Sequence, residues 1–537
     1  MTRAEQLAQL RQTRPFDLLV IGGGATGCGI ALDAAARGLR VALVEQNDFA
    51  EGTSSRSTKL VHGGVRYLEM AVRHLDWVQY RLVRDGLRER GRLLTNAPHL
   101  AHRLPLVTPL YSWWQVPYIF AGLKLYDLLA GKAGIGHSRL LRRKEALARF
   151  PQLKAAGLKA GVLYYDGQFN DARTALALAL TAAEQGAAVA NHVEVRALLK
   201  HDGQVCGAEL LDRLSGDCWQ LRARGVINAT GPFTDRVRRL DDAAAQPLLR
   251  VSSGIHIVLD QRFAPPDTGL MIPATEDGRV LFVLPWEGRA LVGTTDEAAE
   301  VTEHPRPRAE EIAYLLRHLR QYFDLQVDES DVKAVWSGLR PLVVAASADN
   351  TARLARDHLI QSSASGLLTI TGGKWTTYRE MAEEAVDLAM DRFALGAPGQ
   401  CRTANLPLAG GAHFDPGGDR VLAERFHLPR SSALHLHRAY GDRATAVAEL
   451  AQTGGNRLLA AGHPFLEAEV IYAARQEAAG RAIDVLARRL PLALLDRAAA
   501  LTALPRVIEL LAPELGWDGE RCQAERQLGE TRLREAI

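Results

Sequence analysis

The sequence predicts an α/β (α+β) chain in three parts: a parallel-sheet domain assembled from separated stretches, an antiparallel β-sheet domain inserted into it, and an all-α C-terminal domain. Three observations predict this. A strand, a glycine turn, a helix and a second strand open the chain in "FDLLVIGGGATGCGIALDAAARGLRVALVEQ"; residues 251–296 are rich in strand patterns; and residues 419–537 alternate helical patterns with no strand signal. At 537 residues the chain exceeds what one core holds, and at about 150 residues per domain two to four are expected.

Residues 16–21 read as a buried strand broken by glycines before an Ala/Ile/Leu helix that starts near Ala25. Gly22, Gly24 and Gly27 stand in the spacing G-x-G-x-x-G. The first permits a tight turn, the second lets a pyrophosphate approach the backbone, and the third brings helix against strand, with the helix N-terminus facing the phosphates. A second strand, residues 40–44, delivers Glu45 eighteen residues past Gly27, where an acid meets the ribose hydroxyls of an adenosine. The stretch is built to hold a dinucleotide.

Residues 51–70, "EGTSSRSTKLVHGGVRYLEM", read as a loop crossing the bound cofactor, with helix resuming over 67–92. A helix follows over 174–185, then alternating strands to Glu209, then a buried strand in "GVINATGPFTDRV" that ends at Thr230 and Gly231. "GIHIVLD" and "VLFVLPWEGRALVGTTD" form the inserted sheet, with a turn at Glu287-Gly288. "GLLTITGG" runs into "KWTTYREMAEEAVDLAM", again strand, glycines and helix, with Gly372 and Gly373 at the turn. The expected division is 15–100, 166–250 and 341–395 for the cofactor domain, 101–165 for a substrate and membrane-proximal segment, 251–340 for the β-rich cap, 396–418 for a Pro/Gly linker and 419–537 for the helical domain.

Composition narrows the class. Hydrophobic residues make up 47% and charged residues 24% of the chain, ordinary for a globular protein, and a net charge of +3 carries no nucleic-acid footprint. The five cysteines are scattered without a C-x-x-C pair, which argues against zinc or a disulfide framework, predicts no metal and fits a reducing compartment. The N-terminus lacks the apolar core of a signal peptide, and no run of about eighteen apolar residues suits a membrane span.

The opening motif does not choose between FAD and NAD. Two later features choose FAD. "INATGP" packs beside the first turn in flavoproteins of this kind, and the helix start in "TITGGKWTTYRE" faces the pyrimidine edge of an isoalloxazine ring, where negative charge develops on reduction. His256 in "SSGIHIVLD" sits among alternating apolar neighbours and is either a titratable base presented to the ring face or a hydrogen-bonded core histidine. Arg340 in "SGLRPL" and Lys374 in "TGGKWTT" lie beside cofactor segments and are the first candidates for binding an anion, with Arg356 in "LARDH" a further one.

In "IGGGATGCGIALDAAARGL", "TSSRSTKLVHGGVRYLE", "INATGP", "LPWEGRALVGTTD", "SGLRPL", "TGGKWTTYR" and the helical tail, the sequence resembles the FAD-dependent glycerol-3-phosphate dehydrogenases, the respiratory type that passes electrons to quinone. The resemblance spans nearly the whole chain in the family's order. It implies an FAD-binding Rossmann-like domain and oxidation of glycerol 3-phosphate to dihydroxyacetone phosphate. It implies His256 as the base, Arg66 and Tyr67 in "GGVRYLE" as substrate contacts, and Lys59, His62 and Thr376 near the flavin. It further implies ubiquinone or menaquinone as acceptor, attachment to the cytoplasmic face of the cytoplasmic membrane, and room for a homodimer. A flavin oxidase making peroxide, or a non-enzymatic FAD-binding redox module, would keep the FAD segments; the latter has no use for His256, Arg340 and Lys374 together.

Residues 105–125 are more apolar and less basic than the family pattern. In residues 111–132, Trp113, Trp114, Tyr118, Ile119, Phe120, Leu123, Leu125 and Leu128 crowd one segment interrupted by Gln115, Lys124 and Asp127, a pattern suited either to core packing or to lying in a membrane interface.

Overall fold

Phe16–Ile21 forms an interior strand of a largely parallel sheet, and every side chain but that of Asp17 is buried, as a strand covered on both faces requires. The computed structural model describes residues 1–64, 77–273, 275–344, 358–396 and 399–535, the side chains of 77 and 78 excepted. The sheet runs in the order His358–Ser362, Leu368–Gly372, Cys218–Asn228, Phe16–Ile21, Val41–Val44, Ala188–Ala190. All neighbours are parallel except the first pair. Helices Ala25–Ala36, Asp171–Glu184 and Tyr378–Arg392 pack together over it in one apolar core.

The second sheet draws on more of the chain than the 251–296 patterns. Leu249–Asp260 and Val332–Val343 pair antiparallel along their length, and Arg289–Gly293, Leu281–Trp286 and Gly269–Ile272 extend the sheet to Ala101–Leu110 and Ala160–Phe169. The segments 101–165 and 251–340 thus share one sheet. The expected turn is the hairpin Glu287-Gly288, where both residues have positive φ, 47° and 72°.

The period-2 alternation of "GIHIVLD" sorts its two faces. Ile255, Ile257 and Leu259 join Leu315, Leu316 and Leu319 of helix Ala309–Tyr322, whereas Val258 and Trp336 join the core of the C-terminal helices through residues such as Leu486, Leu490 and Leu494. The helical module therefore packs on the sheet face that carries His256. Among the described residues beyond 417 the elements are helical, with one isolated bridge, Leu458 to Leu466. No helix among the described residues is long and apolar enough to cross a membrane.

Helix Gln115–Ala130 splits the apolar segment between two environments. Leu123 and Tyr126 are buried, Ile119 and Phe120 are partly buried, and Trp113, Trp114, Tyr118 and Leu128 stand 68%, 69%, 42% and 75% exposed.

Candidate functional site

The C-terminal ends of the parallel strands open into a cleft of about 1370 Å³, open solvent at its mouth included, at the place where such sheets bind nucleotides. Gly22, Gly24, Glu45, Thr230, Gly231, Gly372, Gly373 and Lys374 all line it. Gly22 has φ +112°, and a Cβ on it would lie 2.7 Å from the Ala229 carbonyl oxygen. Gly27 lies beneath, where a Cβ would come within 1.8 Å of the Gly22 carbonyl oxygen, so only glycine lets helix Ala25–Ala36 press against the turn. Ser54 Oγ accepts from the Ala25 N–H at 2.9 Å and occupies the helix start as a side-chain cap.

Glu45 serves the turn itself. Its carboxylate accepts from the Gly23 N–H at 2.7 Å and the Asn47 N–H at 2.9 Å, and burial pushes its pKa up to about 7. At the other end of the cleft, Gly372 and Gly373 have φ 82° and 74°, and the Trp375 indole N–H donates to the Ser54 carbonyl at 2.9 Å, joining two stretches far apart in sequence. Thr376 Oγ1 lies 3.3 Å from both the N–H and the carbonyl oxygen of His62.

Beside the cleft, loop and sheet bring a second group together. His256 is buried, its ring stacks on Trp336 at 5.4 Å and 17°, and its Nε2 lies 2.9 Å from Thr58 Oγ1. Gly293 is paired with His256 in the register, and a Cβ there would sit 2.2 Å from His256 Cδ2. Arg340, paired with Ser252, shares that face; its guanidinium reaches Asp296 at 3.1 Å and Thr294 Oγ1 at 3.0 Å, over Gly254, where a Cβ would lie 2.2 Å from Nη2. Two glycines thus clear the space for the His256 ring and the Arg340 guanidinium. Burial, then the charges of Arg340 and Lys59, hold His256 well below the usual imidazole range, so the ring is neutral at pH 7.

Lys59 is buried in an ion pair with Asp171 at 2.6 Å, with Nζ 5.1 Å and 5.3 Å from the Trp286 and Trp336 rings. Its backbone has φ 62°, a conformation that non-glycine residues adopt at cost. Arg66, Tyr67 and Arg356 lie outside the described residues. Sequence reasoning missed Thr58, Asp171 and Ser54. Only Asp171 left a signal: a buried lysine needs an acid, and "FNDAR" places one at a helix start.

Residues 17–379 match the family model for FAD-dependent oxidoreductases, and residues 401–522 match the C-terminal domain of alpha-glycerophosphate oxidase. The mitochondrial glycerol-3-phosphate dehydrogenase of Rattus norvegicus is 48% identical over 538 residues, covering 98% of this chain and 74% of its own; that of Arabidopsis thaliana is 47% identical over 96% of this chain and 85% of its own. The X-ray structure of glycerol-3-phosphate dehydrogenase from Bacillus halodurans complexed with FAD superposes with a TM-score of 0.81 at 30% identity, covering 99% of this chain and 97% of that one. This chain belongs to the FAD-dependent glycerol-3-phosphate dehydrogenases.

The dehydrogenase is thus an FAD-dependent oxidoreductase, and its residues fit that cofactor. A glycine turn backed by a helix N-terminus suits the pyrophosphate, whereas Glu45, expected at the adenosine ribose, spends its carboxylate on the Gly23 and Asn47 N–H groups and braces that turn. The dehydrogenase also places the Gly372–Trp375 turn at the cleft's far end, as a cofactor longer than one nucleotide requires.

Proposed function

We propose that the chain oxidises the secondary hydroxyl of sn-glycerol 3-phosphate to the ketone of dihydroxyacetone phosphate and passes the electrons to a membrane quinone. FAD, when bound, supplies the hydride acceptor. His256 takes the hydroxyl proton on its neutral imidazole, with the Thr58 hydroxyl fixing the ring; Nε2 holds Thr58, and Nδ1 has no hydrogen-bond partner among the described residues. Arg340 and Lys374 hold the substrate phosphate, Arg340 in competition with Asp296, and Arg66, Tyr67 and Arg356 add to that contact. What supports the reading is that His256 and the Arg340 guanidinium stand on one face of the same sheet, with Thr58 holding the ring: a base and an anion-binding cation brought together by the strand register.

A quinone acceptor, dissolved in lipid, supports a location at a membrane. We infer peripheral attachment to the cytoplasmic face of the cytoplasmic membrane through Trp113 and Trp114, which precede helix Gln115–Ala130, and Tyr118 and Leu128 within it, all exposed and of the type that suits the lipid–water interface. The deciding experiment is anaerobic mixing of the yellow protein with glycerol 3-phosphate while following flavin absorbance. Bleaching, and reoxidation by a quinone analogue faster than by air, supports the reading; faster reoxidation by air points to an oxidase; no bleaching overturns it.

A further inference from the structure

The loop that carries Glu45, Asn47, Ala50 and Gly52 along the cofactor cleft is tied to the distant C-terminus by buried charge. Asp48, fully buried, accepts from Arg488 Nε at 2.6 Å and from two nitrogens of Arg489 at 2.5 and 3.0 Å. Glu51 accepts from Arg532 Nη2 at 3.0 Å and pairs with Arg488 at 3.2 Å. Asp484 pairs with Arg488 at 2.9 Å and with His192, whose own N–H donates to the Asn47 carbonyl at 2.7 Å. Asp48, His192 and Asp484 offer ligand atoms within 4.8 Å of one another, but guanidinium groups engage both carboxylates, so the cluster reads as a charge lock and not a metal centre.

Apolar packing already joins the helical module to the rest of the chain over the substrate-sheet face. Buried ion pairs add little adhesion beyond that, because desolvation offsets most of their attraction, but bidentate guanidinium–carboxylate contacts fix position and direction. What they fix here is the loop against the adenosine half of the cleft. Against the cost of burial, the neighbouring arginines hold Asp48 below the usual carboxylate range and Glu51 at about 2, which favours the charged form of both acids.

We propose that the helical C-terminal module is a clamp on the cofactor loop: Arg488, Arg489 and Arg532 act as positioning residues that hold Asp48 and Glu51, and through them the wall of the cleft, in the form that retains FAD. The inference rests on FAD as cofactor and is independent of substrate and acceptor. Linkage makes it reciprocal: if docking of the module raises FAD affinity by some factor, bound FAD stabilises the docking by the same factor.

The test uses full-length holoenzyme, which must first purify with flavin. Arg532→Gln cuts the milder contact, since Arg532 is 12% exposed, and Arg489→Lys keeps the charge but gives up the second arm. FAD release is followed by the rise in flavin fluorescence after dilution, with Arg534→Gln, 69% exposed on the same helix, as control. The expected result is release about tenfold faster in the first two variants, the effect of one or two charge-assisted hydrogen bonds, and the parental rate in the third. Hydrogen exchange on the full chain should show added protection over residues 482–489 and 519–534 when FAD is bound. If Arg489→Lys does not fold, Arg532→Gln and the exchange data decide. Parental release from Arg532→Gln, equal acceleration in the control, or exchange that ignores FAD overturns the clamp.

Discussion

Thr58 Oγ1 and His256 Nε2, 198 residues apart in sequence, meet at 2.9 Å where the loop beside the cofactor cleft touches the substrate sheet. The contact fixes the ring plane of His256, the proposed base, against Trp336, and it makes both residues testable. His256→Ala should slow anaerobic flavin reduction by glycerol 3-phosphate by about 10²–10⁴-fold with FAD still bound. Thr58→Val, which leaves the imidazole but frees its orientation, should cost about 10–100-fold, the usual scale for a residue that orients another. Stopped-flow absorbance measures both; parental rates in either variant would remove that residue from the proton transfer.

Arg340 should set the pH at which that base fails. Burial and then the Arg340 charge disfavour imidazolium at His256, so the acid limb of the limiting flavin-reduction rate should lie below the ordinary histidine range in the parent. Arg340→Gln removes the repulsion and should move the limb to higher pH, while Arg340→Lys should leave it nearly in place. The limiting rate at saturating substrate, measured across pH, separates this effect from weaker phosphate binding. Substrate affinity should fall by roughly 1.5–3 kcal/mol in the Gln variant, and plain glycerol should be affected far less.

The cleft yields a prediction on cofactor content. A valine at Gly24 puts branched carbon into the turn, where even a Cβ would lie 3.0 Å from Ser54 Oγ, and fills the space the pyrophosphate needs. Gly24→Val should purify with little or no flavin, read from the ratio of 450 to 280 nm absorbance as roughly a tenfold loss or more.

Glu45 carries a stability signature. Its folded pKa of about 7 stands above its ordinary 4.5, so between those values the folded apo-protein holds a proton that the unfolded chain releases. Stability from this group is therefore present below about pH 4.5 and is lost as pH rises towards 7, by up to roughly 3 kcal/mol. Glu45→Gln cannot titrate, so urea unfolding of its apo-protein should decline less across that window than the parent's.

The sequence made some of this legible because the signal was local. Gly22, Gly27 and Glu45 announce themselves by spacing within one βαβ unit, and the turn at Glu287-Gly288 by its own two residues. Thr58 and Asp171 stayed hidden because their partners lie 198 and 112 residues away, and a threonine in a Ser/Thr-rich loop has no pattern of its own. The substrate sheet was seen at 251–296 but not in Ala101–Leu110 and Ala160–Phe169, which enter through a single short parallel pairing at Gly269 and Leu270 that local alternation cannot foretell. The Asp48–Arg489 lock, 441 residues apart, lay wholly beyond local reading.

Helix Gln115–Ala130 carries the last prediction. Burial of Leu123 and Tyr126 shows that the core explanation holds for one side of the helix, and Tyr126 is anchored there by the Gly63 N–H at 2.7 Å. Core packing does not account for Trp113 and Trp114, two indoles held in water at 68% and 69% exposure. Each large aromatic taken from water into an interface gains about 25 cal/mol per Å² of apolar area, and Lys124, also exposed, adds only a salt-screened attraction to anionic lipid. Attachment should therefore resist salt and yield to mild detergent. Changing Trp113 and Trp114 together to Ser should lower liposome sedimentation at least tenfold and slow quinone reduction, while anaerobic bleaching by glycerol 3-phosphate keeps its parental rate. Both positions are on the surface, so the fold is expected to survive, which unchanged thermal unfolding would check. Parental liposome binding by this double variant would place the membrane contact elsewhere on the molecule.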